Sequence, residues 1–263
     1  IAILALTKIV ENGYQGALMA PTEVLAAQHF KTFQQVFKGM PVKTAYLSGH
    51  TKAAERKEIL EQLKDGSIHI LIGTHALIEE NVVFSALGLV ITDEQHRFGV
   101  KQRQALESKG KSPHVLIMTA TPIPRTMALS VYGDLDVSFI KGMPPGRHPV
   151  KTYVVGSHML QRIFRFMKKE MESGHQAYVV CPLVEQSEKQ DLAAAVSVYE
   201  NLRDHVFPQF GVGLVHGRMK NAEKEQVMED FRKGKFKLLV ATSVIEVGVN
   251  VPDATVMFVY GGG

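Results

Sequence analysis

Blocks of apolar and mixed residues alternate along the chain and predict strands and helices in turn. The apolar blocks are short, whereas the segments between them repeat apolar residues every three or four positions, as amphipathic helices do. The first half predicts strands at GALMA (16–20), VKTAYL (42–47), IHILIG (68–73), LGLVIT (87–92), HVLIM (114–118) and DVSFI (136–140), with helices at 22–37 and 51–66. Apolar strands separated by helices are typical of a parallel sheet covered on both sides.

A proline- and glycine-rich segment, KGMPPGRHP at 141–149, interrupts this alternation because it suits neither element. The alternation then restarts, with predicted strands at VKTYVV (150–155), AYVVC (177–181), VGLVH (212–216), KLLVA (237–241) and TVMFV (255–259), and helices at 158–172, 191–204 and 220–233. We therefore expect two α/β lobes, residues 1–145 and 146–263.

The two lobes carry similar sequences. Residues 49–78 match residues 217–246 at a constant offset of 168 without a gap, and the identities include Gly49 with Gly217 and Thr74 with Thr242. A repeat of this length indicates an internal duplication. Two such lobes create a cleft, and open α/β sheets bind ligands beyond the carboxyl ends of their strands.

Composition narrows the class of protein. The 263 residues are 45% hydrophobic and 21% charged, with a net charge of +4 that permits nucleic-acid binding without requiring it. No apolar run approaches the roughly 18 residues of a membrane span. The single cysteine, Cys181, excludes an internal disulfide and fits a reducing cytoplasm. The eleven histidines lack the spacing of a structural metal site, so we expect none.

Two adjacent carboxylates, Asp93 and Glu94, follow the predicted buried strand 87–92. A carboxylate at a strand end can hold Mg²⁺, usually through water, while the ion bridges nucleotide phosphates. The second carboxylate can orient or deprotonate an attacking water. The alternative is that both residues only cap the helix that follows, where the helix dipole favours anions.

The chain resembles the superfamily-two helicases along nearly its whole length. DEQH (93–96) resembles their Walker B motif, and the other matching motifs are APTEVLA (20–26), GTHAL (73–77), TATPIPRT (119–126) and ATSVIEVGVNVPDA (241–254). Within that group, DEQHRFGV, TATPIPRT and PPGR are most similar to the RecG-type DNA helicases. The resemblance implies two tandem RecA-like lobes, each a parallel sheet flanked by helices.

The resemblance also implies roles for the residues around the acidic pair. Asp93 would be the magnesium carboxylate, acting through water, and Glu94 the base that orients water, with His96 linking them to the second lobe. Gln95, Thr119 and Thr121 would couple hydrolysis to lobe motion. An alternative for the two threonines is an ST-turn that caps the next helix.

Phosphate-binding positions follow other strands. Helix N-termini bind phosphates without reading bases, and the residues predicted to do so on DNA are Pro21, Thr22, Thr74, His75 and Thr242. Ordinary N-capping is the alternative for each. In the second lobe, Gly248 would let the backbone approach the nucleotide, with Asn250 near the ribose.

Two motifs of the family are absent from the sequence: the phosphate-binding loop G-x-x-x-x-G-K-[ST], expected before Ile1, and the arginine-rich motif VI, expected after 255–259. We therefore expect a piece of a bacterial, cytoplasmic, nucleoid-associated helicase that uses ATP and Mg²⁺ on branched or forked DNA. The piece alone would hydrolyse little ATP. Two alternatives remain open, a transcription-repair coupling translocase and a non-catalytic nucleic-acid-binding module.

Overall fold

The computed structural model describes residues 1–94, 98, 100–119, 136–140, 142, 149–181, 188–242 and 251–260. The chain divides into two compact units, Ile1–Lys141 and Gly142–Gly263, and this division falls in the proline- and glycine-rich segment. In the described part of the chain, no helix combines the length and apolar character needed to cross a bilayer.

The first unit is built on a parallel sheet. Its described strands follow the order β2-β3-β1-β4-β5, and each neighbouring pair is parallel. The elements in chain order are α1 (Ala2–Glu11), β1 (Gln15–Met19), α2 (Glu23–Val36), β2 (Thr44–Leu47), α3 (Ala53–Lys64), β3 (Ile70–Gly73), a single 3₁₀ turn (His75–Ile78), β4 (Leu87–Thr92), α4 (Val100–Glu107) and β5 (His114–Ile117).

The second unit is also built on a parallel sheet, with its described strands in the order β7-β8-β6-β9. Its elements are a 3₁₀ turn (Ser157–Met159), α5 (Leu160–Glu172), β6 (Gln176–Cys181), α6 (Glu188–Asn201), a π-helical extension (Leu202–Val206), β7 (Val212–Val215), α7 (Asn221–Arg232), β8 (Leu238–Thr242) and β9 (Ala254–Val259).

The central strands form the cores of the two units. Every residue of β1, β3 and β4 is buried, as is every residue of β8. Burial on both faces explains why these strands are apolar runs instead of alternating patterns. The predicted fold class, α/β with helix-flanked parallel sheets in both lobes, is confirmed.

Two predicted strands are wrong. Residues 136–140 and 150–155 adopt no strand, and all of these residues are exposed. A strand needs a neighbour for its backbone N–H and C=O groups. Neither segment pairs with another strand among the described residues, so their apolar, β-prone sequences are not sufficient to make a sheet.

The two sheets share one topology. Strands β2, β3, β1 and β4 of the first unit occupy the same order as β7, β8, β6 and β9 of the second. Each central strand also shifts its register with its neighbour after the first residue, between Gln15 and Gly16 and between Gln176 and Ala177. A shared irregularity at equivalent positions supports the internal duplication.

A buried glutamine opens the central strand in both units. Its side-chain amide donates two hydrogen bonds across the turn that joins a helix to the next strand. The distances are 2.8 and 2.7 Å from Gln15 Nε2 to the carbonyls of Leu63 and Ile68, and 2.6 and 2.8 Å from Gln176 Nε2 to those of Phe231 and Phe236. Both turns contain a glycine at positive φ, Gly66 at 87° and Gly234 at 76°, where a side chain would be strained.

Candidate functional site

The carboxyl ends of neighbouring strands meet at one edge of the first sheet. The amide of Asp93 donates to the carbonyl of Met19 at 3.0 Å, and the amide of Ala20 donates to the carbonyl of Gly73 at 2.9 Å. These bonds align the residues that follow β1, β3 and β4. The segments predicted to bind phosphate and magnesium in this lobe therefore leave the same edge of the sheet.

The Asp93 carboxylate is held at both oxygens. Oδ1 accepts a hydrogen bond from the Glu94 amide at 3.0 Å, and Oδ2 accepts one from His29 Nε2 at 2.7 Å. The Asp93 side chain is 20% exposed, so it is sheltered but open to one side. A carboxylate has about four acceptor positions, and these two bonds leave capacity for the water shell of a metal ion.

Glu94 adopts a left-handed backbone conformation, with φ at 49°. This conformation costs a non-glycine residue roughly 1–2 kcal/mol, and such positions are concentrated at functional sites. Helix α4 begins only at Val100. Residues 95–97 and 99 lie outside the described part of the chain, so the capping alternative for this pair stays a hypothesis.

His29 was missed by the sequence analysis, although its position carried a signal. It lies on α2 between the buried residues Ala26 and Phe33, three positions after one and four before the other. This spacing places it on the core-facing stripe of the helix. A titratable side chain in such a stripe is unfavourable unless it finds a partner, and the partner here is Asp93, 64 residues away in sequence.

The predicted residue Thr22, which follows Pro21, does cap a helix. It is the N-cap of α2, and its hydroxyl accepts a hydrogen bond from the amide of Leu25 at 3.2 Å. The capping alternative is thus correct for Thr22. It does not exclude phosphate binding, because the hydroxyl still has a proton to donate and the first amides of a helix have no partner within the helix.

Thr74 and His75 begin only a single 3₁₀ turn, not the helix that was predicted. Thr74 is buried, and its amide donates to the carbonyl of Leu47 at 3.4 Å. His75 is exposed. The preceding Gly73 was also missed: a Cβ there would lie 1.9 Å from the Leu47 carbonyl oxygen, so only glycine lets the two strands approach in this way.

Thr242 ends β8, the strand equivalent to β3, and so occupies the place of Thr74 in the second sheet. It is 2% exposed, and its Oγ1 finds no hydrogen-bond partner among the described residues. His216 follows the neighbouring strand β7, and its buried Nδ1 likewise lacks a partner there. Burial, followed by the nearby cations Lys224 and Arg218, lowers the pKa of His216. Buried polar atoms without partners are rare, so the neighbouring carboxyl ends of β7 and β8 are a candidate ligand contact.

The remaining predicted residues are less informative. Thr119 is exposed and follows β5. Gln95, His96, Thr121, Gly248 and Asn250 lie outside the described residues, and their roles stay predictions.

Within the described ranges, no three or more His, Cys, Asp or Glu side chains come together in a way that could hold a metal ion. The Asp93 carboxylate, with open acceptor capacity, fits a magnesium ion that it would hold through the water of the ion.

Comparison with known proteins identifies related sequences over most of the chain. Residues 1–129 match the family model "DEAD/DEAH box helicase", and residues 158–262 match "Helicase conserved C-terminal domain". The chain is 52% identical over 260 residues to "ATP-dependent DNA helicase RecG" of Bacillus subtilis. The aligned region covers 99% of this chain and 38% of that protein. The protein of that name from Thermotoga maritima is 48% identical over 98% of this chain and 33% of its own length.

Solved structures give the same picture. "Structure of RecG bound to three-way DNA junction" matches with a TM-score of 0.78 and 44% identity, over 97% of this chain and 33% of that one. The helicase MrfA, bound to DNA and AMPPNP, matches with a TM-score of 0.68 at 17% identity, a likeness of fold alone. The chain spans about a third of the length of the RecG proteins that it matches.

Proposed function

This chain belongs to the RecG family of superfamily-two helicases, and on that premise we propose that it is part of an ATP-dependent DNA helicase that remodels branched DNA in recombination and repair. The observation that carries the proposal is 52% identity to "ATP-dependent DNA helicase RecG" across 99% of the chain. The match to a RecG structure bound to a three-way junction supports branched DNA as the substrate.

ATP hydrolysis would use the carboxyl edge of the first sheet. Bound Mg²⁺ would neutralise charge on the nucleotide phosphates. Asp93 would hold the ion by accepting hydrogen bonds from its water molecules, which the sheltered position of the carboxylate favours. Glu94 would accept a proton from the water that attacks the terminal phosphorus, while the bond from that phosphorus to the ADP leaving group breaks. Thr119 and Thr121, with Gln95 and His96, would transmit the change in the phosphates to the rest of the protein.

DNA binding would use the hydroxyls and free amides after other strands. Thr22 can donate its proton to a phosphate oxygen while it still caps α2. Thr74 and Thr242, at equivalent places in the two sheets, would hold two phosphates of one strand, with Pro21 and His75 beside them. Gly248 and Asn250 would face the nucleotide. These contacts carry no base specificity, as expected of a translocating motor.

Glu94→Gln in the full-length protein tests the proposal. The amide cannot take a proton from water, so ATP hydrolysis stimulated by a three-way junction should fall by at least about 10²-fold, while nucleotide binding stays close to wild type. The matched control is Glu80→Gln, an exposed glutamate in the same unit, which should leave turnover unchanged. Unchanged turnover in Glu94→Gln would remove Glu94 from its role.

The substrate separates the remaining alternatives. Strong stimulation by junctions over unbranched duplex favours the RecG type, whereas equal stimulation favours a duplex translocase of the coupling type. A full-length protein that hydrolyses no ATP would favour the non-catalytic module. We further expect the 263-residue piece alone to hydrolyse little ATP, and turnover like that of the full-length protein would contradict this.

A further inference from the structure

We infer that His29 is a positioning residue for Asp93. The imidazole of His29 fixes the Asp93 carboxylate in the orientation that receives the water shell of magnesium. The inference rests on the proposed function, because that function makes Asp93 the magnesium carboxylate. Neither family motif nor local sequence pattern assigned a role to His29.

The hydrogen bonds around Asp93 divide its acceptor positions. His29 Nε2 donates to Oδ2 at 2.7 Å, and the Glu94 amide donates to Oδ1 at 3.0 Å. The backbone amide alone would let the carboxyl group rotate about its Cβ–Cγ bond. The second donor, on the other oxygen, removes that freedom. Roughly half of the acceptor capacity stays open, one position on each oxygen.

The placement of His29 is not explained by packing. Its neighbours on the core-facing stripe of α2, Ala26 and Phe33, are 0% and 1% exposed. The His29 side chain, at 27% exposure, reaches past them toward the strand end. An apolar residue at this position would pack against the sheet and avoid burying a polar ring. The imidazole is instead directed at Asp93, the carboxylate that would hold the magnesium ion.

The imidazole also provides a connection between two predicted contacts. Helix α2 begins at its N-cap Thr22, a predicted DNA contact, and carries His29 two turns later against Asp93. A shift of this helix would therefore move a hydrogen bond on the magnesium carboxylate. Hydrogen-bond partners of metal-binding groups typically change metal affinity or activity by 10–100-fold when removed, and we expect an effect of this size.

The test measures magnesium dependence of nucleotide binding in the full-length protein, without turnover. A fluorescent ADP analogue is titrated at increasing Mg²⁺ into wild type, His29→Ala and His29→Gln. We expect His29→Ala to raise the Mg²⁺ concentration for half-maximal binding by about 10-fold or more, with little change in magnesium-free affinity. His29→Gln should bring the required Mg²⁺ concentration back toward the wild-type value, because the glutamine Nε2 can donate from nearly the same place.

His50→Ala is the matched control. His50 pairs in the same way with a carboxylate of α2, with its Nδ1 2.8 Å from Glu23 Oε1, and Asp93 is not part of this pair. It should leave the magnesium dependence unchanged. A purely structural tie between α2 and β4 would lower thermal stability in His29→Ala without moving that dependence.

The outcomes are distinct. The inference is overturned if His29→Ala matches wild type, if His29→Gln is as impaired as His29→Ala, or if His50→Ala is impaired equally. Nucleotide binding by wild type that does not respond to Mg²⁺ would instead overturn the proposed function, and this inference with it. Should His29→Ala fail to fold, the magnesium dependence of His29→Gln is compared with that of His50→Ala. The inference then requires His29→Gln to behave like wild type, and a higher magnesium requirement in this variant overturns it.

Discussion

Replacing Gln15 with methionine should destabilise the first unit by about 2–4 kcal/mol. The Gln15 side chain is buried, at 3% exposure. Its Nε2 donates to the carbonyls of Leu63 and Ile68, and its Oε1 accepts from the amide of Ala86 at 3.0 Å. Methionine has similar length and volume, so the substitution removes all three bonds without leaving a cavity.

The magnitude follows from the groups that lose their partner. The Leu63 carbonyl keeps a weaker bond from the Gly66 amide at 3.4 Å. The Ile68 carbonyl loses the bond that it accepts from Gln15, and the Ala86 amide loses the bond that it donates to Gln15. A buried polar group without a partner costs about 1–3 kcal/mol, and the surroundings of the Ala86 amide are only partly buried. The sum therefore lies in the lower half of the range of about 2–6 kcal/mol.

Hydrogen exchange of peptides from β3 and β8 is the assay, because each reports on one unit. Gln15→Met should reduce protection in β3 and leave β8 unchanged, and Gln176→Met should do the opposite. Gln34→Met, an exposed position on α2, is the control and should lie within about 0.5 kcal/mol of wild type. If the hydrogen-exchange protection of β3 is the same in Gln15→Met and Gln34→Met, the buried amide contributes no stability and the reasoning fails.

Three further predictions concern other positions. Gly73→Ala places a Cβ 1.9 Å from the Leu47 carbonyl oxygen and should lower the urea midpoint of the first unit by the equivalent of about 1–3 kcal/mol, whereas Gly49→Ala, with its nearest atom 4.0 Å away, should not. Thr242→Val removes a buried hydroxyl that has no described partner. The stability of the variant should therefore equal that of wild type, while the DNA affinity of the full-length protein falls about 2- to 10-fold. Lost stability with unchanged affinity would make the role of Thr242 structural. Burial raises the pKa of Tyr178 to about 12 from 10.0. Its contribution to stability is therefore complete below pH 10 and is lost as the pH rises to about 12. Tyr178→Phe should lose less stability than wild type over that interval.

The sequence alone predicted most of the fold because its strongest signals are local. Runs such as 68–73 and 87–92 are apolar on both faces, and only a covered parallel sheet buries both faces. Parallel strands end at a common edge, so the order of elements already placed Thr22, Thr74 and Asp93 together. The repeat at offset 168 further predicted that both lobes share one topology, which the strand orders match.

The wrong strands and the missed residues depend on partners distant in sequence. Residues 150–155 have the composition of a strand, but a ladder exists only where a neighbour supplies its hydrogen bonds. His29 and Asp93 are 64 residues apart, and Gln15 and Ile68 are 53 apart. Local sequence pattern cannot state which side chains meet over such distances.

The amino-acid sequence by itself therefore determined the class of fold and the edge of the sheet on which the acidic pair and the predicted chemistry lie, since these depend on periodicity and strand direction. Only the tertiary structure decided that Asp93 is held from α2 by His29, and that a buried glutamine opens each central strand. A hydrogen bond between distant residues exists only when packing brings donor and acceptor within about 3 Å of each other.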